Sequence, residues 1–384
     1  MNEQKSEAKH IKKNSQMRSK RPIIVNLSLC HGICNYACPL CGINKAKYKG
    51  MRRNMPIELF ETLINRIISA GKEGVYVRRI DISGAGEPTL HPEFGRILSL
   101  LNRMGENWDA PVIAPEFHLI TNGSKLDEPA IIEAIKNIPV QVRISFPTSN
   151  QENYGKLMFG DASRGEEAIS KAISGINAVA KMTRDKGENK LYFNISPPDR
   201  EIIRADFEDN VRFLTEIAAK WDIPEIETVI FPSTTNRSGF VKNPFRGIDD
   251  YKDLFKKWDK KEVNGVIINL ISELKVMFPE FWQILDVIRS YDYPCIWSSS
   301  LFVAADGNVI CCNDQAAKNP IGNILEHSIE RIMINRERYM PISVCRSCDV
   351  APQKLYGSPL AVLYSTLARI RMAWSKTKQK GAKK

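Results

Sequence analysis

The stretch Cys30-His31-Gly32-Ile33-Cys34-Asn35-Tyr36-Ala37-Cys38-Pro39-Leu40-Cys41 comes directly after the apolar run Ile23-Ile24-Val25-Asn26-Leu27-Ser28-Leu29. The run is rich in β-branched and large apolar residues and reads as a strand, and Gly32, Pro39 and Gly42 break the cysteine stretch into a loop. Within that loop Cys34, Cys38 and Cys41 stand in the spacing C-x3-C-x2-C. Three thiolates on one short loop can hold three corners of an iron–sulfur cubane and leave one iron open, and they are equally half of a tetrahedral zinc site. Cys30 offers a competing frame with Cys34 and Cys38, but its place at the strand end makes it a bystander thiol. Nine cysteines grouped in this way do not fit a disulfide framework in a reducing compartment, so metal is the first reading.

Moving outward, further β-rich runs bounded by turn residues fall at 76–83, 117–121, 140–145, 191–195 and 226–231, six with the first. Helical spacing lies between them at 56–70, 92–104, 128–137, 166–181 and 207–220, with Pro56 in a first turn and Asp206 as an N-cap. Strands alternating with helices give parallel βα units, whose active sites sit at the C-terminal ends of the strands. The predicted fold class is α/β, a partial (β/α)6 TIM-like barrel with a small C-terminal cysteine-rich module. From 251 to about 290 the pattern is helical and aromatic-rich and shows no clear strand.

The triplet after the first strand resembles the C-x3-C-x-Φ-C hallmark of the radical S-adenosylmethionine (radical SAM) superfamily. Ser83-Gly84-Ala85-Gly86-Glu87-Pro88 at the second strand end is similar to that family's G-G-E-P motif, and Thr121-Asn122-Gly123 and Ser145 to its polar contacts at the third and fourth. The resemblance covers roughly 22–240. It departs from the pattern at Ala85, which replaces the first glycine of the pair, and at Leu40, which holds the Φ site where an aromatic is common. A zinc site has no use for the G-E-P, which tells against the zinc reading. The resemblance implies a [4Fe–4S] cluster on Cys34, Cys38 and Cys41, and S-adenosylmethionine held near Leu40, Gly84, Gly86, Glu87, Asn122 and Ser145. It also implies an electron donor such as flavodoxin or ferredoxin. Reductive cleavage of the cofactor then gives a 5′-deoxyadenosyl radical, which abstracts hydrogen from a substrate carbon. Asn194, Ser196, Thr235, Asn236 and Arg237, near the fifth and sixth strand ends, are candidate cofactor or substrate contacts.

Cys295, Cys312, Cys345 and Cys348, with Gly307 between the first two, resemble the start of a SPASM domain that stops at four ligands. The shortened "twitch" form, with one auxiliary [4Fe–4S] cluster, fits four ligands; a zinc ribbon is the alternative. A hairpin across Ala305-Asp306-Gly307-Asn308 and a short helix after Gly322-Asn323 belong to this module. Cys311 is left over, either a buried structural thiol or a hydrogen-atom donor to a substrate radical.

The predicted organisation is a basic tail over 1–21, the barrel over 22–240, a helical linker over 241–292, the twitch-like module over 293–350, and an amphipathic helix with a basic tail over 351–384. The formal charge of +11 resides in the tails: 1–21 carries +5 and 369–384 carries +7, leaving the chain between at −1. The balance therefore describes solvated ends and implies no nucleic-acid partner. A peripheral membrane contact by the helix over 359–374 is a minor reading. No secretory h-region and no run of about 18 apolar residues occurs, which points to the cytoplasm. The expected function is a radical SAM enzyme acting on a small polar metabolite such as a sugar or cyclitol, by dehydrogenation or epimerisation. The alternatives are a SPASM-type maturase acting on a peptide or protein, and a non-catalytic zinc or iron–sulfur binding protein.

Overall fold

The computed structural model of the chain describes residues 23–39, 41–44, 50–195, 200–230, 252–272, 300–310 and 320–339. After β1 (Ile23–Ser28) the chain forms a two-stranded ribbon, β2 (Cys30–His31) against β3 (Arg53–Asn54). Helix and strand then alternate: α1 (Ile57–Lys72), β4 (Val77–Ser83), α2 (Phe94–Glu106), β5 (Glu116–Thr121), α3 (Pro129–Lys136), β6 (Val140–Ser145), α4 (Gln151–Phe159), α5 (Gly165–Asp185), β7 (Lys190–Ile195), α6 (Arg200–Lys220) and β8 (Glu225–Ile230). The six predicted strands are present, and they pair in parallel in chain order β1-β4-β5-β6-β7-β8. This is the sheet of a partial TIM-like barrel.

Further strands extend it at both edges. The reading of 251–290 as helical without a strand is corrected by β10 (Val266–Ser272), which lies parallel to β8 after α7 (Lys252–Trp258) and β9 (Glu262–Val263). The turn from β9 to β10 is Asn264-Gly265, with φ of 53° and 74°; an Asn-Gly pair with both φ positive is a strong short-range hairpin signal. At the other edge β11 (Ser300–Val303) is parallel to β1, and the expected hairpin is there as β11 with β12 (Asn308–Ile310). β13 (Gly322–Asn323) and α8 (Ile329–Tyr339) come next. The hairpin of the cysteine-rich module thus continues the barrel sheet.

Two helix readings also change. Asp206 is no N-cap, because α6 starts at Arg200; its carboxylate instead accepts from Thr148 Oγ1 (2.6 Å) and Asn153 Nδ2 (2.8 Å). α4 had no counterpart in the sequence reading, although Asn150 Oδ1 caps its start and Gly160, at φ 71°, ends it. The amphipathic helix expected over 359–374 lies outside the described residues, as do both basic tails.

Register separates the two faces of the sheet. Val25, Ile80 and Phe117 stand side by side, as do Leu27, Ile82 and Leu119. They join a single apolar core with Phe60, Leu63, Ile97 and Leu101 of the covering helices. The opposite face is polar. One row runs Asn26, Asp81, His118, Gln141, and another Arg143, Tyr192, Glu227, Asn269. Most of these side chains are buried, and burial demands that charges be paired. Arg79 pairs with Asp81 at 2.7 Å, and Arg143 with Glu227 at 2.7 Å. Glu227→Ala, which strands the Arg143 guanidinium, is expected to cost about 3–5 kcal/mol in urea unfolding. The double change Arg143→Met with Glu227→Leu should recover most of that loss. A cost below about 1 kcal/mol for the single change would mean that the pair is solvated.

Candidate active site

All parallel strands end on the same side, and the cysteine loop leaves β1 there. Its approach to the end of β4 depends on glycine. A Cβ on Gly86 would overlap the carbonyl oxygens of Cys30 and Ile33, and one on Gly84, at φ 113°, would press on Ser28. The backbone zips the two segments together: Gly32 N donates to Ala85 O, Glu87 N to Ile33 O (2.9 Å), and Ala85 N to Ser28 Oγ (3.3 Å). The G-A-G-E-P stretch thus braces the cysteine loop from behind, and Ala85 in place of a glycine is accommodated.

Glu87 is almost wholly buried. Its Oε1 accepts from Thr89 N (3.1 Å), Thr89 Oγ1 (2.6 Å) and Thr121 Oγ1 (2.7 Å), and its Oε2 from Asn122 N (2.8 Å). Burial pushes its carboxyl above the usual range, and these four donors oppose that shift. The carboxylate therefore ties the end of β4 to the end of β5. Asn122, at the end of β5, directs Nδ2 to Asn35 Oδ1 (2.9 Å) and lies 3.9 Å from Cys34 Sγ.

The far side of the loop rests on α4. Ala37 N donates to Met158 O (3.1 Å), Cys38 Sγ lies 3.5 Å from Met158 Sδ, and the Tyr36 ring packs on Phe159 at 4.8 Å. Tyr36 N points at Cys34 Sγ (3.4 Å) and Tyr36 OH donates to Ala168 O (3.3 Å).

Cys30, Cys34, Cys38 and Cys41 form no disulfide among the described residues. Burial pushes the thiols of Cys30 and Cys34 up to about 12 and raises that of Cys38, and the two loop thiols also feel Cys41. Adjacent thiolates in a low dielectric are unstable without a cation, and metal supplies one. The donor set thus fits an iron–sulfur cluster. Among the described residues no three His, Cys, Asp or Glu side chains close round a single-ion position; a cubane, whose thiolates sit on separate irons, does not ask for one. Cys30 stands apart, buried and directed at Pro88 O (3.8 Å), as a bystander thiol does.

The other candidates divide. Gly84, Gly86, Glu87, Asn122, Ser145 and Asn194 all lie at strand ends on the side of the cysteine loop. Ser145 and Asn194 are register neighbours. Leu40, Ser196, Thr235, Asn236, Arg237, Cys295, Cys311, Cys312, Cys345 and Cys348 lie outside the described residues. Sequence reasoning missed Asn35, Thr89, Ser124 and Met158. The position of Asn35 between two cysteines was the available signal.

Two family models match the sequence: the radical SAM superfamily over residues 29–190, and an iron–sulfur cluster-binding domain, SPASM, over residues 295–349. The chain carries a radical SAM domain joined to a SPASM domain. It is therefore an enzyme that uses an iron–sulfur cluster and S-adenosylmethionine, and its SPASM domain adds auxiliary iron–sulfur binding. No curated protein matches the sequence. Among solved structures, Streptococcus suis SuiB bound to its precursor peptide SuiA is 15% identical, over 90% of this chain and 74% of that one, with a TM-score of 0.56. The structure of anSMEcpe with AdoMet and the Cp18Cys peptide is 16% identical, over 91% of this chain and 95% of that one, with a TM-score of 0.55. At these identities the likeness is one of fold. Among the described residues no helix is long and apolar enough to cross a membrane.

Replacing the Glu87 carboxyl by an amide tests whether it ties the two strand ends together. In Glu87→Gln an amide NH2 must face the Asn122 N–H or the Thr89 donors, and we expect a loss of about 1–3 kcal/mol in chemical denaturation. An unchanged midpoint would show that the carboxylate does not tie the strand ends together.

Proposed function

We propose that this radical SAM enzyme binds its catalytic cluster through Cys34, Cys38 and Cys41 and abstracts hydrogen from a carbon of a small polar substrate, such as a sugar or cyclitol, in a dehydrogenation or epimerisation. When bound, the cluster and S-adenosylmethionine supply a 5′-deoxyadenosyl radical by reductive cleavage of the sulfonium bond. The residues of the chain bind, orient and shield. Glu87 and Asn122 fix the loop, Gly84 and Gly86 let the backbone approach closely, and Ser145 and Asn194 offer polar contacts inside the mouth of the barrel. Cys295, Cys312, Cys345 and Cys348 hold one auxiliary [4Fe–4S] cluster, and Leu40 and Arg237 contact the cofactor. Cys311 is the candidate hydrogen donor in an epimerisation. The electron comes from a donor of the flavodoxin or ferredoxin class, in the reducing cytoplasm.

The observation that carries the substrate class is the polar inner face of the sheet. Asn26 Nδ2, Asn194 Oδ1 and Ser300 Oγ are buried there without a hydrogen-bond partner among the described residues. Buried polar groups are normally satisfied, so these three call for polar atoms of a substrate, a cofactor or ordered water. A hydroxylated small molecule supplies such atoms at high density. The second reading is a peptide- or protein-modifying maturase. SuiB and anSMEcpe are seen with peptides bound, which at this identity bears on fold alone.

Anaerobic reconstitution should give about eight irons per chain for two four-iron clusters, with 5′-deoxyadenosine formed from S-adenosylmethionine and a reductant. Changing Cys34, Cys38 and Cys41 together to Ala should abolish that cleavage and leave the absorbance of the auxiliary cluster. Loss of both clusters would show that the triplet is not an independent site. A panel of deuterated sugars, cyclitols and peptides, scored by deuterium in 5′-deoxyadenosine, decides the substrate. Transfer from peptides alone overturns the small-molecule reading.

A further inference from the structure

Glu87 ties β5 to β4, but a second connection runs from the end of β5 directly into the cysteine triplet. Asn122 Oδ1 accepts from Ser124 N (3.0 Å) and Ser124 Oγ (2.7 Å), which fixes which end of the amide carries the N–H groups. Asn122 Nδ2 donates to Asn35 Oδ1 (2.9 Å), and Asn35 Nδ2 donates to Ser124 Oγ (2.7 Å). The three side chains close a ring between the cysteine loop and a segment 87–89 residues away. The ring sits at the one loop residue between Cys34 and Tyr36. Asn122 and Ser124 are buried while Asn35 is exposed, so the firm half of the ring belongs to the strand end and the held half to the loop.

We propose that Asn35, Asn122 and Ser124 form a clasp that hangs the cluster loop from the end of β5, directs an N–H at the sulfur of Cys34, and so sets the reduction potential of the cluster bound there. The proposal rests on Cys34 being a cluster ligand. Asn122 Nδ2 is 3.9 Å from Cys34 Sγ, and the Tyr36 backbone N–H adds a second donor at 3.4 Å. Donors aimed at a ligating sulfur withdraw negative charge from it and favour the reduced cluster, which raises the potential. Asn122 can aim its N–H only while Asn35 and Ser124 hold the amide, so Asn35 and Ser124 are positioning residues that act through Asn122. The amide of Asn122 is engaged by these partners and serves the loop rather than the substrate.

The test is a redox titration of the reconstituted full chain, monitored by electron paramagnetic resonance of the signal that changes when S-adenosylmethionine is added. Asn122→Ala should move the potential of that signal to more negative values. Asn122→Asp, which sets a carboxylate beside the thiolate, should move it further. Asn35→Ala should shift it in the same direction, and Asn35→Ala combined with Asn122→Ala should give no more than Asn122→Ala alone. An unchanged potential at normal loading, or shifts that add, overturns the clasp. Asn35→Ala alters an exposed side chain and guards against a buried variant that does not fold. If it keeps its secondary structure but loads less iron at that cluster, the loop-holding role is supported. Cys34→Ala separates the premise from the proposal: a cluster signal that survives it refutes Cys34 as a ligand, whatever the asparagine variants do.

Discussion

A single buried carboxyl group organises the end of this molecule that carries the cysteine loop. Among the described residues Glu87 is held by two threonine hydroxyls and two backbone N–H groups drawn from the ends of β4 and β5. A carboxyl group in so dry a place is tolerable only while those donors stay in position. The requirement runs both ways. The carboxylate needs the two strand ends at a fixed separation, and the strand ends, once fixed, set the backbone on which the cysteine loop lies. Gly84 and Gly86 make that arrangement possible, since a side chain at either would push the loop away.

The two faces of the sheet answer different demands. The outer face meets helices and is apolar, as parallel sheets ordinarily are. The inner face departs from that pattern. Arg79, Asp81, His118, Arg143 and Glu227 gain nothing by being buried together when an apolar lining could pack as densely. His118 is held below its usual range by burial, although Glu116 and Asp81 draw it the other way. A lining of this kind suits a barrel whose interior receives polar atoms.

The chain announces its architecture in the six β-branched runs, because a buried parallel strand must be apolar over several consecutive residues. β10 met the same criterion in Val266-Ile267-Ile268 with Asn264-Gly265 before it, but aromatic and charged neighbours give the surrounding segment a helical look. α4 escaped because it is short and weakly amphipathic, so its caps were a better guide than its periodicity. At the site, thiol spacing and the G-E-P stretch are local in sequence and could be read directly. The ring of Asn35, Asn122 and Ser124 could not, since it exists only after two segments some ninety residues apart are folded together. Likewise nothing in 23–28 announces that this strand pairs with 300–303, for register between distant strands leaves no local mark.

That last pairing bears on how the protein is made. β1 feeds the cluster loop, yet one of its two neighbours is β11, so the strand stays an open edge until the ribosome has passed residue 303. An unpaired apolar edge invites wrong partners, and contacts this distant in sequence form slowly. The strand that carries the cysteine loop therefore gains its second neighbour only late in synthesis, when the C-terminal hairpin closes on it.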